Sequence, residues 1–489
     1  MKVFRTLAVA LLTLLAWSAI ANSQESAATA TWENLKNKPT FAVDTSLLLT
    51  DGTVMVHQYS SSNWWRLTPD STGSYINGTW SELASMPSDY GPLYFASAVL
   101  ADGNVIVQGG EYNFGSGVET PLGAYYNSST NTWTAVTAPT GWRDVGDASG
   151  VVLADGTFML GNCGSCDPAS VEKEQALLDE TTLTWTITGT GKNDQNSEEG
   201  WTLLPSGDVL VVDTWSTPES ELYNPSTGTW SLAGDTPSNL VNPCIEIGPA
   251  VLRPDGTVWA TGGENTTAIF DSSTGVWSAG PSFAKGDGIT DGPAALLPDG
   301  NVLVSVGPNS CYEPPTTFYE FNGTSLVAAP AAADSSGNPT YYGRMLVLPT
   351  GQIFYTEAGG GKVAQIYVPV GTYEPAWQPT ITTVSKKLTA GSTDNVIEGT
   401  QFNGLSQGAM YGDDAQMATN YPLVRVVNAS TKAVVYCRTH NHSTMGVATG
   451  ATVVSTEFDI PATIGTGASE LFVVANGIPS KPVKVDIAP

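Results

Sequence analysis

Acidic and phenolic side chains lie at one fixed distance before a series of turn dipeptides in this sequence. The turns are Asp51-Gly52, Asp102-Gly103, Asp155-Gly156, Ser206-Gly207, Asp255-Gly256, Asp299-Gly300 and Thr350-Gly351. Nine positions before the turn glycines lie Val43, Tyr94, Asp147, Glu198, Ile247, Asp291 and Tyr342, and Tyr341 precedes the last of these. Carboxylates and phenols gathered in one place can bind a metal ion or the hydroxyl groups of a sugar. The spacing therefore predicts a binding site formed by Tyr94, Asp147, Glu198, Asp291 and Tyr342.

A second polar set comes directly after the second strand predicted in each repeat. Its members are His57, Tyr112, Asp213, Glu264 and Glu357. The start of one strand and the end of its antiparallel partner lie side by side, so both sets are expected at the same end of the hairpins. The alternative is that these loop residues are polar only because they are in contact with water.

The chain has three histidines, which are His57, His440 and His442. The last two lie in the segment CRTHNHSTMG. Residues two apart in an extended strand point to the same face, so both rings could reach one copper or zinc ion. We predict a metal role for His440 and His442, with His57 as a further candidate ligand. The alternative is that they are ordinary loop histidines.

The element that carries both polar sets is a repeated β-hairpin. In AVLADGNVIVQGG, residues 98–110, an apolar run reaches Asp102-Gly103 and leaves as an alternating strand, and Asp-Gly supplies the positive φ of a tight turn. The turn glycines recur about every 50 residues, and a turn running into a tryptophan, as at Trp80 and Trp133, recurs at the same interval. Seven such units predict an all-β fold, a seven-bladed kelch-type β-propeller.

The two ends of the chain extend this plan. TWENLKNKP at 31–39 is similar to the blade ending TWSELASMP at 79–87, so the N-terminal strand is expected to complete the last blade and leave no open edge. The repeat stops at Gln378-Pro379, and short strands at closer spacing then predict an Ig-like β-sandwich. We therefore expect a signal peptide at 1–21, a linker at 22–30, the propeller at 31–378 and the sandwich at 379–489.

The N-terminal residues predict export. Lys2 and Arg5 precede the apolar run Leu7–Ile20, and Ala19-Ile20-Ala21 has the small residues of a cleavage site. The apolar run is short for a membrane span. We expect a secreted or periplasmic protein that does not insert into the membrane and that is a monomer.

The charge balance narrows the choice of partner. The chain has 46 acidic and 19 basic residues, a net charge of −27. Such a surface repels the phosphates of nucleic acids. A carbohydrate or an extracellular protein is therefore the expected partner, and nucleic acid is not.

The five cysteines fit an oxidising compartment. For Cys163 and Cys166 we expect a small-loop disulfide, with a redox motif or half a zinc site as alternatives. Cys244 precedes the inner strand of one blade, and Cys311 follows the second strand of the next blade on the same predicted face. This placement predicts a bridge between adjacent blades, and Cys437 would then be free and buried in the sandwich.

The repeats, with YNPSTGTW at 223–230 and LLPDGNVLV at 296–304, and the downstream sandwich resemble the galactose oxidase/glyoxal oxidase group of copper radical oxidases and their kelch-containing bacterial relatives. The resemblance spans nearly the whole mature chain. It implies a copper cofactor, a cross-linked tyrosine at Tyr94, a stacking aromatic ring at Tyr112 and a second tyrosine ligand at Tyr341. It also implies a C-terminal histidine ligand, His440 or His442, and a sandwich like that of galactose oxidase.

Two positions depart from the pattern of that group. Ala42 stands where the cross-linked cysteine would be, and Tyr342 stands where a histidine would follow the second tyrosine. The thioether cannot form at Ala42, and copper would lack an imidazole at Tyr342. We therefore predict binding of a carbohydrate or another extracellular partner at the channel mouth. The alternatives are a diverged copper radical oxidase acting on alcohols or aldehydes, and a structural envelope or adhesion protein.

Overall fold

Strands form nearly all of the regular structure in the computed structural model, which describes residues 29–162, 173–412 and 417–489. Within these ranges the helical turns are the short 3-10 segments Ser335–Gly337, Thr340–Tyr342 and Pro375–Trp377. Among the described residues, no helix has the length and apolarity needed to span a bilayer. The expected signal peptide, Cys163 and Cys166 lie outside the described ranges.

Seven antiparallel blades of four strands each form a β-propeller, which confirms the predicted fold class, and the sheet of blade 6 is extended by Ala409–Met410 and Asp287–Gly288. From the inner to the outer strand, blade 1 is Val43–Leu48, Val54–Gln58, Trp64–Thr68 and Thr79–Glu82; blade 2 is Ala96–Val99, Val105–Gln108, Gly123–Asn127 and Thr132–Val136; and blade 3 is Gly150–Val152, Phe158–Gly161, Gln175–Asp179 and Thr184–Thr188. Blade 4 is Thr202–Leu203, Val209–Val212, Glu219–Asn224 and Thr229–Asp235, and blade 5 is Ile247–Leu252, Thr257–Gly262, Ala268–Asp271 and Val276–Ala279. Blade 6 is Ala294–Leu296, Val302–Pro308, Thr317–Phe321 and Leu326–Ala329, and blade 7 is Gly343–Val347, Ile353–Glu357, Ala364–Val368 and Thr31–Asn34.

The apolar inner strands are covered on both faces. Every residue of Gly343–Val347 is buried, whereas the outer strand Thr132–Val136 is mostly exposed. Strands packed between neighbouring sheets have such continuous apolar runs. The recurring tryptophan of the outer strand packs against the preceding blade: the ring of Trp133 lies 5.7 Å from that of Trp64, and its Nε1 donates to the carbonyl oxygen of Ala84 at 2.9 Å.

The ring closes through the N-terminal strand, as predicted. Thr31–Asn34 pairs antiparallel with the third strand of blade 7, with Thr31 opposite Val368 and Asn34 opposite Gln365. The Trp32 ring then lies 4.9 Å from that of Tyr367 and 5.2 Å from that of Phe318 in blade 6. Closure therefore pairs an edge strand and joins two blades at once.

After blade 7 the chain forms a two-sheet β-sandwich. One sheet has the order Thr380–Val384, Asn395–Thr400, Val453–Phe458, Thr439–His440, and the other has Lys387–Thr389, Val483–Ala488, Gly467–Ala475, Leu423–Asn428, Val434–Cys437, with Ile478–Pro479 beside Gly467–Ala475. Their inner faces share one core that includes Ile397, Val424 and Val473. The Ig-like assignment of this sandwich stays a prediction.

One segment of the sandwich enters the central channel. Ala409–Met410 pairs with Ala294 and Ala295 on the inner strand of blade 6. Gln407 Oε1 accepts a hydrogen bond of 2.8 Å from the amide of Leu203 on the inner strand of blade 4. The residues 407–412, here called the channel segment, thus contact inner strands of different blades. They bring the sandwich to the end of the channel at which the inner strands begin.

Candidate binding cavity at the channel mouth

A cavity of about 520 Å³ opens at the end of the channel where the inner strands begin. Its lining is Tyr59, Ser60, Leu93, Tyr94, Glu111, Tyr112, Gly115, Asp147, Glu198, Glu246, Asp291, Tyr312, Tyr341 and Tyr342. All five residues of the predicted binding site are among them, together with Tyr112 and Tyr341. The structure therefore brings together side chains that are as much as 248 positions apart in sequence, from Tyr94 to Tyr342.

The repeated register explains this convergence. Tyr94, Glu198 and Asp291 occupy the same position in blades 2, 4 and 6, and all three have left-handed backbone conformations, with φ of 50°, 62° and 45°. Residues other than glycine rarely adopt this region, and such conformations concentrate at functional sites. In blades 1 and 5 the same position, Val43 and Ile247, begins an inner strand with a register shift. The backbone thus departs from regular strand geometry at or just after this position in blades 1, 2, 4, 5 and 6.

Carboxylates form one side of the cavity. Single oxygens of Glu198, Glu246 and Asp291 all lie within 4.8 Å of one another. Glu246 also accepts a hydrogen bond from the phenol of Tyr312, which comes from the next blade. Glu246 and Tyr312 are not among the predicted site residues. Glu246 precedes Ile247, which occupies the repeated position, and Tyr312 follows Cys311 of the predicted bridge.

Tyrosine rings form the other side. The ring centroid of Tyr94 lies 6.0 Å from that of Tyr112 and 6.3 Å from that of Tyr341. Tyr341 in turn lies 5.5 Å from Tyr312 and 4.7 Å from Tyr342. These distances are those of interacting aromatic pairs, so the five rings form a continuous wall.

The channel segment holds part of this wall in place. The carbonyl oxygen of Tyr341 accepts hydrogen bonds from the Tyr411 hydroxyl at 2.8 Å and from Nη1 of Arg344 at 2.7 Å. The Arg344 guanidinium lies 4.1 Å from the Tyr411 ring centroid and 5.7 Å from that of Tyr94. A buried cation between two rings stabilises their positions.

The phenols of four wall residues stay protonated at neutral pH: Tyr94, Tyr112, Tyr312 and Tyr341. Burial raises the pKa of Tyr94 and Tyr341 above the ordinary value for tyrosine. Burial, followed by the charge of Glu246, raises the pKa of Tyr312, and the charge of Glu111 is the largest cause of the raised pKa of Tyr112. These hydroxyls can therefore donate hydrogen bonds to a ligand.

Tyr112 reaches the cavity through an insertion in blade 2. Pro92–Leu93, Tyr112–Asn113 and Ser116–Gly117 form a small three-stranded sheet beside the blade. The other members of the set lie at the same end of the hairpins, as predicted, since Glu357 is opposite Gly343 and Gln58, next to His57, is opposite Val43, but they do not line the cavity. His57, Asp213 and Glu357 are buried within their blades, and Glu264 accepts a hydrogen bond from Asn309.

His57 has both ring nitrogens in contact with protein oxygens. Nδ1 lies 3.2 Å from Oδ2 of Asp44, and Nε2 lies 2.7 Å from the carbonyl oxygen of Ser61. The ring packs against Trp64 and Phe95. This environment is that of a core histidine rather than of a metal ligand at the channel mouth.

His440 and His442 lie at the opposite end of the propeller from the cavity. The amide of His442 donates to the carbonyl oxygen of Ala101, beside a hairpin turn, whereas Tyr94 lies at the start of the same inner strand. Ala101 is seven positions after Tyr94, which corresponds to about 23 Å in an extended chain. The two histidines are therefore not partners of Tyr94 and Tyr341, and the channel segment is a different part of the sandwich.

The expectation that both rings share one face is also wrong. Asn441 between them has a φ of 51°, which ends the extended conformation. His440 Nε2 lies 3.1 Å from Oδ1 of Asp459, while Nδ1 of His442 lies 2.8 Å from Oγ1 of Thr456. Ligand atoms of His440, Asp394 and Glu457 lie within 4.8 Å of one another, so a metal role for His440 alone stays a prediction.

The predicted bridge between Cys244 and Cys311 is confirmed. It joins the segment before blade 5 to the segment after the second strand of blade 6, one or two residues from Glu246 and Tyr312. Cys437 is a buried free thiol, and burial raises its pKa to about 12. The expected disulfide of Cys163 and Cys166 concerns residues outside the described ranges.

The residues of the cavity do not fit a copper radical centre. Copper(II) sites in proteins use imidazole, commonly with thiolate or other nitrogen donors. The described lining offers phenol and carboxylate oxygens, and the three histidines of the chain lie elsewhere. The structure does bring together the three tyrosines that the resemblance implies, Tyr94, Tyr112 and Tyr341. The described lining beside them includes neither the histidine nitrogens nor the cysteine sulfur that the resemblance implies for a copper centre.

One comparison with known proteins, that with solved structures, bears on the fold. No protein family model matches the chain, and no curated protein matches it. A fungal alcohol oxidase of the AA5 family, solved in complex with copper, matches with a TM-score of 0.54 at 13% identity, over 94% of this chain and 100% of that chain. The structure of YjhT matches with a TM-score of 0.38 at 14% identity, over 68% of this chain and 97% of that chain. The chain therefore shares its fold with a copper alcohol oxidase, which supports the resemblance at the level of the fold.

Proposed function

We propose that this protein binds a carbohydrate in the cavity at the mouth of the propeller channel. The observation that carries the proposal is the convergence of five carboxylates and six tyrosines from several blades on one cavity of about 520 Å³. Small-molecule sites are concave, combine aromatic rings with a few polar groups and have volumes of roughly 300–1,000 Å³.

Each half of the cavity suits one half of a sugar. The wall of Tyr94, Tyr112, Tyr341 and its neighbours provides ring faces for the apolar C–H surface of a pyranose. The carboxylates Glu198, Glu246 and Asp291 accept hydrogen bonds from hydroxyl groups, and the protonated phenols can donate them. Charged acceptors make such hydrogen bonds stronger than neutral ones.

A glycan array tests this proposal. The purified chain is expected to bind a defined group of saccharides, and Asp147→Asn and Tyr112→Ala are expected to weaken that binding tenfold or more. Asp208→Asn is the matched control, because Asp208 lies beside the hairpin turn at the other end of blade 4. An array without bound glycans, or binding that both cavity variants leave unchanged, would contradict the proposal.

A copper-dependent alcohol oxidase is the second candidate, although the described cavity lining lacks the imidazole that a copper site uses. It is favoured by the fold shared with the fungal alcohol oxidase and by the proximity of Tyr94, Tyr112 and Tyr341. Incubation with copper, followed by assays for peroxide release from galactose, glyoxal and primary alcohols, separates it from a binding protein. Absence of copper uptake eliminates this candidate.

We further propose that the protein is exported and acts as a monomer outside the cytoplasm, where such saccharides are available. The proposal depends on the charged, apolar and small-residue pattern of residues 1–21. N-terminal sequencing of the mature protein is expected to begin at Asn22, and its elution volume is expected to be that of a single chain. A mature protein that retains the apolar run, or a stable dimer, would contradict it.

A further inference from the structure

We infer that the saccharide bound at the channel mouth carries a free, positively charged amino group, so that the cavity selects amino sugars over neutral and acidic ones. This inference depends on the proposed carbohydrate-binding function and names the ligand class of the same cavity. It follows from the sign of the charges in the lining, from their spacing and from the aromatic wall opposite them.

The first step is the sign of the charge. Five acidic residues line the cavity, which are Glu111, Asp147, Glu198, Glu246 and Asp291. The described lining includes no lysine, arginine or histidine, and the guanidinium of Arg344, 5.7 Å from the Tyr94 ring centroid, is fully buried and does not line the cavity. A concave site with charges of one sign concentrates ligands of the opposite sign. A uronic acid or a sulfated sugar would be repelled.

The second step is the spacing of the carboxylates. Oxygens of Glu198, Glu246 and Asp291 lie within 4.8 Å of one another, although like charges at this distance repel. An ammonium group has three N–H donors and no acceptor, so one such group can donate to three carboxylates at once. The three acids come from the starts of the inner strands of blades 4, 5 and 6, and they meet at one place because these strands are neighbours in the ring.

The third step is the choice between an organic cation and a bare metal ion. An all-oxygen set of carboxylates also suits a calcium ion. A bare metal ion, however, would fill only a small part of a cavity of about 520 Å³ and would leave the tyrosine wall without a contact. An amino sugar can contact both the carboxylates and the tyrosine wall. The rings of Tyr312 and Tyr341, 5.5 Å apart, connect the carboxylates to the wall, and aromatic faces attract organic cations.

The electrostatic field on the tyrosines agrees with this assignment. The carboxylates of Glu246, Asp291 and Glu198 all act to raise the pKa of Tyr312. A group that lies beside Tyr312 therefore experiences the negative potential of three carboxylates, in addition to the burial that is the largest cause of the raised pKa. The same potential holds a neighbouring amine in its charged form.

The experiment compares two ligands that differ only in their charge. Binding of a glucosamine oligomer and of the N-acetylated oligomer of the same length is measured by calorimetry, with EDTA present, at a pH at which the free amine is protonated. We expect the free amine to bind at least tenfold more tightly. The preference should decrease as salt is added, because salt screens charges in a solvent-connected site.

Variants assign the preference to the carboxylates. Glu246→Gln is expected to remove most of the preference for the amine and to retain binding of the N-acetylated oligomer. Glu198 is less buried than Glu246. Glu198→Gln therefore provides the same test should Glu246→Gln fail to fold. Tyr112→Ala is expected to weaken both oligomers equally. Asp208→Asn, at the other end of blade 4, should change neither.

The outcomes separate this inference from the proposed function. Equal affinity for the two oligomers overturns the inference and leaves carbohydrate binding intact. Absence of binding for both, together with an empty glycan array, overturns the proposed function itself. Binding that appears only when calcium replaces EDTA shows that the carboxylates hold a metal ion, and this also overturns the inference.

Discussion

At the scale of single residues, a buried ionic cluster in blade 4 makes the stability of the folded state depend on pH. Lys192 Nζ lies 3.1 Å from Oε2 of Glu199 and 3.0 Å from Oε2 of Glu221, and all three side chains are buried. Asp213 is completely buried nearby, and neither of its carboxylate oxygens accepts a hydrogen bond from the described residues. Burial raises the pKa of Asp213 to about 8, although the charge of Lys192 acts to lower it.

This pKa predicts that the folded state loses stability as the solution becomes alkaline. Asp213 has a higher pKa in the folded chain than its ordinary value of about 3.9 in an unfolded chain, so the folded state binds the proton more tightly. The contribution is fully present below about pH 4 and is lost as the pH rises to 8. Burial also raises the pKa of other carboxyls, among them Glu199 of the same cluster. Asp213→Asn should therefore make the loss of stability smaller without abolishing it, and thermal unfolding between pH 4 and pH 9 measures the difference. Parallel melting curves for the two proteins would contradict the prediction.

At the scale of elements, the channel segment packs directly against residues that line the cavity. Gly412 ends the described part of this segment, and a Cβ atom placed on it would lie 2.2 Å from Oδ1 of Asp291 and 3.0 Å from the carbonyl oxygen of Ile247. A side chain at this position therefore displaces a residue of the cavity. The sandwich thus influences the ligand site although none of its described residues lines the cavity.

Gly412→Ala is expected to weaken ligand binding about tenfold, which corresponds to about 1.4 kcal/mol. The physical reason is the displacement of Asp291, so the loss should be larger for an amino sugar than for its acetylated form. Gly337→Ala is the matched control, because nothing lies within 4 Å of a Cβ atom built there. Calorimetry on both variants tests the prediction, and equal affinities for Gly412→Ala and the parent chain would disprove it.

The disulfide between Cys244 and Cys311 is the second element that acts on the site. It joins positions 67 residues apart, and the neighbouring residues Glu246 and Tyr312 are hydrogen-bonded to each other. Closing a loop of this length lowers the entropy of the unfolded chain, which stabilises the fold by about 4 kcal/mol.

The double variant Cys244→Ser/Cys311→Ser is therefore expected to unfold at lower denaturant concentration and to bind ligand more weakly than the parent chain. Denaturant unfolding and calorimetry measure the two effects. Adding a reductant to the parent chain should reproduce both changes and should have little further effect on the double variant. A double variant with unchanged stability would show that the bridge is not a structural constraint.

At the scale of the whole molecule, closure of the ring by Thr31–Asn34 makes the propeller one cooperative unit. Trp32 packs against Phe318, Tyr355 and Tyr367, and its Nε1 donates to the carbonyl oxygen of Pro330 at 2.8 Å. Blades 6 and 7 are thus held by a strand that precedes blade 1 in sequence. An open ring would expose the edge strand Ala364–Val368, and exposed edges pair with other chains.

Trp32→Ala is expected to lower the free energy of unfolding by about 3 kcal/mol, since large aromatic rings in contact with a core have this effect when they are removed. Trp215→Ala is the control for stability, because that ring is 51% exposed and should change it little. A chain without residues 29–35 should in addition self-associate through Ala364–Val368. Equal unfolding of the two tryptophan variants would contradict the role of the closing strand.

The sequence alone determined the propeller, its blade number and the position from which the cavity is built. These features depend on local chemistry that repeats: the Asp-Gly turns, the apolar inner strands and the constant distance between turn and strand start. Because every blade uses the same register, one position per repeat predicts which side chains converge at the mouth. Tyr94, Asp147, Glu198, Asp291 and Tyr342 could be found in this way.

Only the tertiary structure decided which segments from outside the repeat reach the channel and which stay away. His440 and His442 have a spacing typical of metal ligands, but Asn441 turns the chain between them and the segment packs on the hairpin turns. The channel segment, the insertion that carries Tyr112 and the pair of Glu246 and Tyr312 depend on packing between residues far apart in the chain. No periodic pattern encodes such contacts, because each occurs once and depends on how the sandwich and the blades fit together.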